Sequence, residues 1–254
     1  LMFAGGVNKG IEFASGKYLL ILNPDIIITP QTVVQLANYL ENNTNCVAVS
    51  PQLLLPNGQV QSDYFLRLPT LFQLILFYIL PPRIILKIKL LRYSYFEVPI
   101  GTATQTIVEQ LPGACMLVSQ DTIKNIGGMD EDFTLFYEDV DWCKRLKQIG
   151  DQVALTNLTA IHYGGGSHEK NEIWIYGRFR VSMLLYFRKH LGIINFLVAK
   201  YVIFTAVYTG LIIRSFQKLI HIFDQNIIDY HINKYKFFLK EYAERKPSFD
   251  KYKK

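Results

Sequence analysis

A carboxylate follows directly on a run of aliphatic residues near the start of the chain. Residues 19–28 read LLILNPDIII, which is typical of a buried strand except for Asn23, Pro24 and Asp25. Because proline cannot donate a ladder hydrogen bond and an unpaired buried carboxylate is costly, the strand is predicted to end at Asn23. An acid just past the end of a parallel strand lies where open α/β sheets bind ligands, and it can ligate Mg²⁺ or Mn²⁺. An aspartate in a turn also bonds its own backbone, so both roles stay open for Asp25.

Three further acids lie at the start of a predicted helix, in the segment FYEDVDW of residues 136–142. Acids in a first helical turn gain ~0.3–1 kcal/mol from the helix dipole, which is a purely structural explanation. Glu138 and Asp139 are adjacent, however, so one can cap the helix while the other faces a cleft. A carboxylate in a cleft can accept the proton of an attacking hydroxyl group, which is the task of a general base.

Glycines accompany two other candidate segments. His162 ends a short predicted strand and is followed by three glycines, and His168 is a second candidate in the same loop. Residues 112–114 read Pro-Gly-Ala and precede another strand. Small residues let a substrate approach the backbone closely, but they equally allow a plain loop or bulge. A lone histidine is more often a structural hydrogen-bonding residue than a ligand.

The elements that position these residues alternate between helix and strand, which is an α/β pattern. Residues 18–22 form a continuous apolar strand of the kind that parallel sheets bury on both faces. Thr29 and Pro30 are typical of an N-cap and a first-turn proline. In chain order the sequence predicts a helix at 7–15, a strand at 18–22, a helix from 30 to about 41, strands at 46–50 and at 108–119 interrupted by Pro112 and Gly113, a helix at 138–148, and short strands at 153–155 and 160–162.

Two other apolar segments indicate contact with a membrane. Residues 69–96 carry two apolar runs with interspersed basic residues, and each run is shorter than the ~20 residues that span a bilayer. A basic amphipathic element on the membrane surface fits this segment, and a helical insertion packed on the core is the alternative. Residues 193–213 are the most hydrophobic stretch. Because the internal Lys200 costs ~2.5–3.5 kcal/mol at the bilayer centre, membrane-associated helices are favoured over a true span, and both stay open.

The composition of the 254-residue chain limits the choice of partners and of compartment. Of the net charge of +6, residues 234–254 contribute +5, from eight basic and three acidic residues. Such a tail is either a solvated end or is attracted to anionic lipid head groups. Because no nucleic-acid-binding module accompanies the charge, no nucleic-acid partner is expected. Three cysteines without ligand spacing indicate a reducing compartment, with Cys46 and Cys143 as core residues.

Taken in order, three segments resemble the family 2 glycosyltransferases, specifically their bacterial rhamnosyltransferase-like branch. The segments are GGVNKGIEFASGKYLLILNPD (5–25), PGACMLVSQDTIKNIGGMDEDFTLFYEDVDWCKRLKQIG (112–150) and IHYGGGS (161–167). The resemblance implies an α/β fold: an incomplete GT-A, Rossmann-like mixed sheet flanked by helices, plus C-terminal membrane-associated helices. Its partial GT-A domain would cover residues 1–191, with an amphipathic insertion at about 69–96. Residues 192–254 would form hydrophobic helices and the basic tail.

The same resemblance implies roles for individual residues. Asp25 would bind Mg²⁺ or Mn²⁺, with His162 at the metal and the diphosphate. Asp139 would be the catalytic base, with Glu138 as the second acid of the pair. The family motif has an acid where this chain has Asn23, a pattern that is usual in this branch. The residues implied to contact donor or acceptor are Asn23, Gly113, Ala114, Asp130 and Trp142.

The implied activity is inverting, metal-dependent transfer of a sugar from a dTDP- or UDP-sugar to a hydroxyl of a cell-surface glycan or lipid-linked acceptor. Rhamnose is the first expectation for the sugar, and the cytoplasmic face of the cell membrane for the location. Because the family's nucleotide-binding half precedes the matching residues, at least ~60 residues are expected to be missing before Leu1. The isolated chain is then expected to be inactive and poorly soluble. The alternative is a non-catalytic truncated partner or a glycan-binding, membrane-associated protein.

Overall fold

The computed structural model describes residues 2–61, 67–80, 84, 87, 88, 104–164, 172–221 and 224–252. The chain forms two compact units. The sheet unit comprises Leu1–Pro69, Leu86–Glu131 and Glu138–Gly166, and the helical unit comprises Thr70–Ile85, Asp132–Tyr137 and Ser167–Lys254. The predicted boundary after residue 191, between the glycosyltransferase domain and the C-terminal helices, does not coincide with the boundary of these units. That domain division stays a prediction.

Helices and strands alternate along the described residues, as expected for the α/β class. In chain order they are α1 (Phe3–Phe13), β1 (Tyr18–Leu22), β2 (Ile26–Ile27), α2 (Pro30–Asn42), β3 (Cys46–Leu54), α3 (Leu71–Ile79), β4 (Thr106–Val108), β5 (Cys115–Ser119), α4 (Gln120–Ile126), α5 (Glu138–Leu146), β6 (Asp151–His162), α6 (Glu172–Tyr186), a π-helical turn (Phe187–Leu191), α7 (Gly192–Ile220), α8 (Gln225–Glu244) and α9 (Lys246–Asp250). Every helix and strand predicted for the sheet unit is present. The short strand β2 and the helix α4, whose N-cap is Ser119, are additions.

The described strands form one mixed sheet in the order β1-β5-β3-β6-β2, with β4 also paired to β6. Only β3 and β6 run parallel among these strands. The expectation that β1 belongs to a parallel ladder is therefore wrong for the described chain, because β1 pairs antiparallel with β5 and Leu22 lies opposite Cys115. A continuous apolar run indicates burial but does not specify the direction of the neighbouring strand.

A register irregularity explains why two predicted strands are longer in the structure. β3 continues beyond Ser50, the predicted end, to Leu54. The two short strands predicted at 153–155 and 160–162 are parts of one strand, β6. The pairing jumps from Pro51 opposite Leu155 to Gln52 opposite Thr159. Because a proline cannot donate to a ladder, its position at this irregularity lets the strand continue past it.

Helices cover both faces of the sheet. On one face Ala48 and Val118 pack with residues of α1, α4 and α5, among them Trp142. On the other face Val49 and Leu117 pack with Leu36 and Leu40 of α2. Ala48 and Val49 of β3 thus belong to different clusters, as do Leu117 and Val118 of β5, in keeping with the twofold period of a strand. The mixed sheet flanked by helices is confirmed.

Two helix pairs of the helical unit approach each other closely at glycines. A Cβ on Gly177 of α6 would lie 2.5 Å from the Phe237 ring of α8, and one on Gly210 of α7 would lie 2.6 Å from the Tyr235 ring. Glycine therefore permits the spacing of these helices. From the predicted amphipathic insertion, α3 is described, with Thr70 and Gln73 forming a capping box. The remainder of that insertion lies largely outside the described residues.

Helix α7 is long and apolar enough to cross a membrane, by its length and composition alone. Its 29 residues bury Phe196, Ala199, Ile203 and Val207, whereas many of its other large apolar side chains are exposed. This helix contains the whole predicted hydrophobic stretch at 193–213 and continues to Ile220. It is weak evidence for membrane association.

Candidate active site

The turn that contains Asp25 joins two parts of the sheet. β1 ends at Leu22 and β2 begins at Ile26, so the strand ends where it was predicted to end. The backbone N–H of Asn23 donates to the carbonyl of Ala114 at 2.8 Å, and the N–H of Ile26 donates to the carbonyl of Asn23 at 3.2 Å. Asn23 thereby ties the turn to the segment that precedes β5, which contains Gly113 and Ala114.

Pairing of β2 with β6 brings His162 beside Asp25. Ile26 lies opposite His162, and the N–H of Tyr163 donates to the carbonyl of Asp25 at 2.9 Å. The side chains meet with His162 Nε2 3.4 Å from Asp25 Oδ1. The His162 side chain is 6% exposed and that of Asp25 is 41% exposed, so the carboxylate is open to solvent and to ligands.

Gln61 lies against the imidazole nitrogen that faces away from the carboxylate, with His162 Nδ1 2.9 Å from Gln61 Oε1. In the neutral imidazole that carries its hydrogen on Nδ1, this nitrogen donates to Gln61 and Nε2 presents its lone pair towards Asp25. Gly164, with a φ of 47°, follows closely, and a Cβ there would lie 3.6 Å from the imidazole ring. The other predicted loop residues, 165–168, lie outside the described part of the chain.

A carboxylate oxygen and an imidazole nitrogen that face each other suit a divalent metal ion such as Mn²⁺. No group of three or more His, Cys, Asp or Glu side chains that could hold a metal is found among the described residues. A metal at Asp25 and His162 would therefore complete its coordination with water or phosphate oxygens, which is the usual arrangement for Mg²⁺.

Asp139 is held by backbone donors on both carboxylate oxygens. The N–H of Gly113 donates to Oδ2 at 3.1 Å, and the N–H of Val140 donates to Oδ1 at 2.8 Å. Burial raises the pKa of Asp139 above its usual value, against the lowering effect of these hydrogen bonds. A raised pKa makes a carboxylate a stronger base once it is ionised.

Gly113 provides the space that Asp139 occupies. A Cβ on Gly113 would lie 2.9 Å from the Cβ of Asp139 and 3.1 Å from its Oδ2. Any larger residue at this position would push the acid aside, because side-chain atoms do not approach so closely. Gly113 therefore both donates to Asp139 and allows its position.

The acids of α5 have different environments. Asp141 is fully buried and pairs with Arg145, whose Nε lies 3.0 Å from Oδ2. The same guanidinium group donates to the carbonyls of Ile126 and Gly128, so Asp141 and Arg145 hold the helix against the end of α4. Glu138 is 6% exposed. Asp139, in contrast, is bonded to Gly113, which is next to the Ala114 whose carbonyl accepts from Asn23.

The backbone before α5 turns sharply. Phe136 and Tyr137 have φ angles of 59° and 68°, in the left-handed region that aromatic residues rarely adopt. Such conformations cost about 1–3 kcal/mol each and persist where the surrounding structure imposes them. They direct the chain into α5 with the acid pair in its first turn.

Two predicted ligand-contacting residues have other surroundings. Trp142 is fully buried in the core, and its Nε1–H donates to the carbonyl of Gly127 at 3.0 Å. Asp130 lies half-buried in the loop that follows α4. The burial of Trp142 indicates a packing role for that residue. The ligand roles of Trp142 and Asp130 stay predictions.

Two residues of this region had no role in the sequence interpretation. Asn8 of α1 accepts a hydrogen bond from the N–H of Met129 at 2.8 Å and donates to the carbonyl of Met129 at 2.8 Å. It also donates to Glu131, so it holds the loop that contains Asp130. The second residue is Gln61, which orients His162. Asn8 lies inside the segment 5–25 that carries the family resemblance, and that position could have indicated its importance. No sequence pattern marks Gln61.

Residues 1–88 match the sequence profile of the family described as Glycosyl transferase family 2. The resemblance to family 2 glycosyltransferases is confirmed. The chain is 28% identical over 178 residues to rhamnosyltransferase WbbL of Escherichia coli, covering 69% of this chain and 62% of that protein. It is 25% identical over 150 residues to the low-salt glycan biosynthesis hexosyltransferase Agl10 of Haloferax volcanii, covering 58% of this chain and 43% of that protein. The chain thus spans less than two thirds of the length of either relative.

Among solved structures, the chain is similar to the mannosyltransferase PcManGT from Pyrobaculum calidifontis in complex with GDP-Man and Mn²⁺. The match covers 95% of this chain and 66% of that chain, with 8% sequence identity and a TM-score of 0.43.

Proposed function

We propose that this chain carries the catalytic residues of an inverting glycosyltransferase that moves a sugar from a nucleotide-sugar donor to an acceptor hydroxyl. The observation that supports it is one continuous series of contacts. Asp25 lies in the turn whose Asn23 bonds to Ala114, and the adjacent Gly113 bonds to Asp139. A metal-ligand pair and a desolvated, oriented acid are thereby connected through two short backbone segments.

Asp25 and His162 are the proposed metal ligands. Their facing oxygen and nitrogen atoms suit Mg²⁺ or Mn²⁺, and the 41% exposure of Asp25 leaves room for phosphate oxygens. Such a cation, when bound, offsets the negative charge that the nucleoside diphosphate gains as it leaves. The contact with Gln61 keeps His162 in the orientation that presents Nε2.

Asp139 is the proposed base. An acceptor hydroxyl is a poor nucleophile until its proton is removed, and an ionised carboxylate with a raised pKa is suited to accept that proton. Bonds from Gly113 and Val140 fix both carboxylate oxygens, so little reorientation is needed during the reaction. A single displacement by the hydroxyl inverts the configuration at the anomeric carbon.

Similarity to a rhamnosyltransferase and a hexosyltransferase supports a hexose as the transferred sugar, with rhamnose as the first candidate. A dTDP- or UDP-sugar is the proposed donor. A glycan or a lipid-linked glycan is the proposed acceptor. The apolar helix α7 supports association with a membrane. The proposed location is the cytoplasmic face of the cell membrane, where nucleotide sugars are made. Carbonate extraction of membranes distinguishes a spanning helix, which stays in the pellet, from surface attachment, which is released.

The test of the function uses the protein produced from its complete open reading frame. It is incubated with dTDP-rhamnose or UDP-hexoses, with Mn²⁺ or with a chelator, and nucleotide release and transfer to lipid-linked glycan are measured. We expect metal-dependent release from one donor class and product with inverted configuration.

Two results would contradict the proposal. Retention of configuration would exclude a single displacement with Asp139 as the base. Absence of donor binding and turnover with every nucleotide sugar would favour the non-catalytic, glycan-binding alternative, which binding to immobilised glycans would then support.

A further inference from the structure

Within the helical unit, α3, α6 and α8 surround an open cleft of about 480 Å³. Two cations line it, Arg180 of α6 and Lys234 of α8. Its other walls are largely apolar and include Phe77, Ile175, Phe179 and Met183. The cleft is therefore amphipathic, with positive charge on an apolar surface.

Aromatic side chains hold both cations in place. Arg180 donates to the hydroxyl of Tyr78 at 3.1 Å and to the carbonyl of Tyr176 at 3.2 Å, and its Cζ lies 3.4 Å from the centre of the Tyr176 ring. Lys234 Nζ lies 4.6 Å from the same ring. Cation–π contacts orient such groups but do not neutralise their charge.

Neither cation has a carboxylate at ion-pair distance among the residues that the structure describes. The acid in the cleft lining, Glu172, accepts a hydrogen bond from the Tyr230 hydroxyl. Burial lowers the pKa of Lys234, the nearby charge of Arg180 lowers it further, and Glu172 opposes them. Two like charges in a partly desolvated cleft repel each other, and a dianion placed between them would relieve that repulsion.

We propose that this cleft binds a lipid phosphate or diphosphate, with the phosphate at Arg180 and Lys234 and the lipid chain along Phe77, Ile175, Phe179 and Met183. A monoester phosphate or a diphosphate carries the two or more negative charges that two cations match, whereas the phosphodiester of an ordinary membrane lipid carries one. The inference rests on the proposed function in one respect, since it identifies the acceptor as lipid-linked.

Calorimetric titration with farnesyl diphosphate, a short isoprenoid diphosphate, tests the inference in chelator-containing buffer without added metal. Inorganic pyrophosphate and farnesol are the separate head-group and chain probes. We expect farnesyl diphosphate to bind at least about tenfold more tightly than either probe, because only it uses both parts of the cleft. Equal affinity for pyrophosphate would overturn the lipid assignment and leave a free-anion site.

A matched pair of lysines on α8 tests the position of the phosphate. Lys234→Ala is expected to weaken farnesyl diphosphate binding by about ten- to a hundredfold, since it removes a charge-assisted contact. Lys236→Ala, which removes an exposed lysine from the same helix, is expected to change it less than about twofold. Equal effects of the two changes would overturn the proposal. Thermal unfolding checks that both variants fold, and Lys234→Gln replaces Lys234→Ala if the alanine variant does not.

A matched pair of phenylalanines on α3 tests the position of the chain. Phe77→Ala is expected to weaken binding of farnesyl diphosphate but not of pyrophosphate, whereas Phe72→Ala, outside the cleft lining, is expected to change neither. Identical results for the two variants would contradict the proposed path of the chain. Asp25→Ala is expected to bind farnesyl diphosphate as the wild type does. A wild-type protein that transfers sugar but does not bind farnesyl diphosphate contradicts only the lipid cleft, whereas one that binds farnesyl diphosphate but turns over no donor contradicts only the proposed function.

Discussion

Asp25 and Asp139 are two carboxylates of one sheet unit with opposite surroundings. Asp25 is 41% exposed in a turn and faces an imidazole nitrogen, whereas Asp139 is half-buried and accepts backbone N–H bonds on both oxygens. An open carboxylate beside a nitrogen ligand can exchange water for a metal ion and phosphate. A carboxylate held by backbone amides keeps one orientation and an altered pKa. The surroundings of each acid, rather than its residue type, therefore indicate its role.

The largest effect is expected where the oriented acid loses its basicity. Asp139→Asn keeps the shape of the side chain but cannot accept the acceptor's proton, so transfer should fall about 10²–10⁴-fold. Donor binding, measured by calorimetry, should change less than about twofold. Asp121→Asn, at an exposed position on α4, is the matched control. A transfer rate close to that of the wild type would exclude Asp139 as the base.

Removal of the open carboxylate should change the metal requirement. Asp25→Ala is expected to raise the Mn²⁺ concentration needed for half-maximal nucleotide release by at least about 10–100-fold, the range seen when even an outer-shell partner is lost. Titration of activity with Mn²⁺ measures this shift. An unchanged Mn²⁺ requirement would show that Asp25 is no metal ligand. If excess Mn²⁺ restores activity to Asp25→Ala but not to Asp139→Asn, the two acids have different roles, one in metal binding and one in proton transfer.

The position of Asp139 can be disturbed without changing the acid itself. Gly113→Ala places a methyl group 2.9 Å from the Cβ of Asp139. Relief of this overlap should cost about 1–3 kcal/mol of unfolding free energy and reduce transfer by about ten- to a hundredfold. Gly10→Ala in α1, where a Cβ meets nothing within 4 Å, should leave transfer unchanged and slightly stabilise the helix. Denaturant unfolding and transfer rates are measured for both variants. If Gly113→Ala and Gly10→Ala have the same effects, Gly113 does not position Asp139.

Acid pH should reduce transfer through Asp139. Its pKa is raised by burial, so the base becomes protonated, and activity falls, at a pH above the ordinary aspartate pKa of about 3.9. Below that midpoint the rate should fall about tenfold per pH unit. A pH–rate profile of kcat/KM at saturating Mn²⁺ measures the midpoint. A midpoint at or below the ordinary value would contradict the desolvated environment of Asp139.

The smallest effect on activity is expected at Trp142. Trp142→Phe removes the hydrogen bond to the carbonyl of Gly127 and part of a fully buried ring. Unfolding free energy should fall by about 1–3 kcal/mol, while transfer changes less than about twofold. Denaturant unfolding and steady-state kinetics measure both quantities. A large change in KM with unchanged stability would support the predicted ligand role of Trp142.

Local features of the sequence were sufficient for several parts of this structure. The proline after Asn23 ends β1, Thr29 caps α2 with an accepted hydrogen bond from the N–H of Thr32, and the acids at 138 and 139 begin α5. These outcomes depend on backbone chemistry within a few residues, so the order of types along the chain is enough to predict them.

The tertiary structure alone decided which of these elements meet. Antiparallel pairing of β1 with β5, the approach of His162 to Asp25 and the orientation of His162 by Gln61 all join residues far apart in the sequence. The space that Gly113 leaves for Asp139 is of the same kind. Hydrophobic patterning specifies which residues are buried, but many strand arrangements bury the same residues. Only the packed chain selects one arrangement, and with it the carboxylate that stays open and the carboxylate that is enclosed.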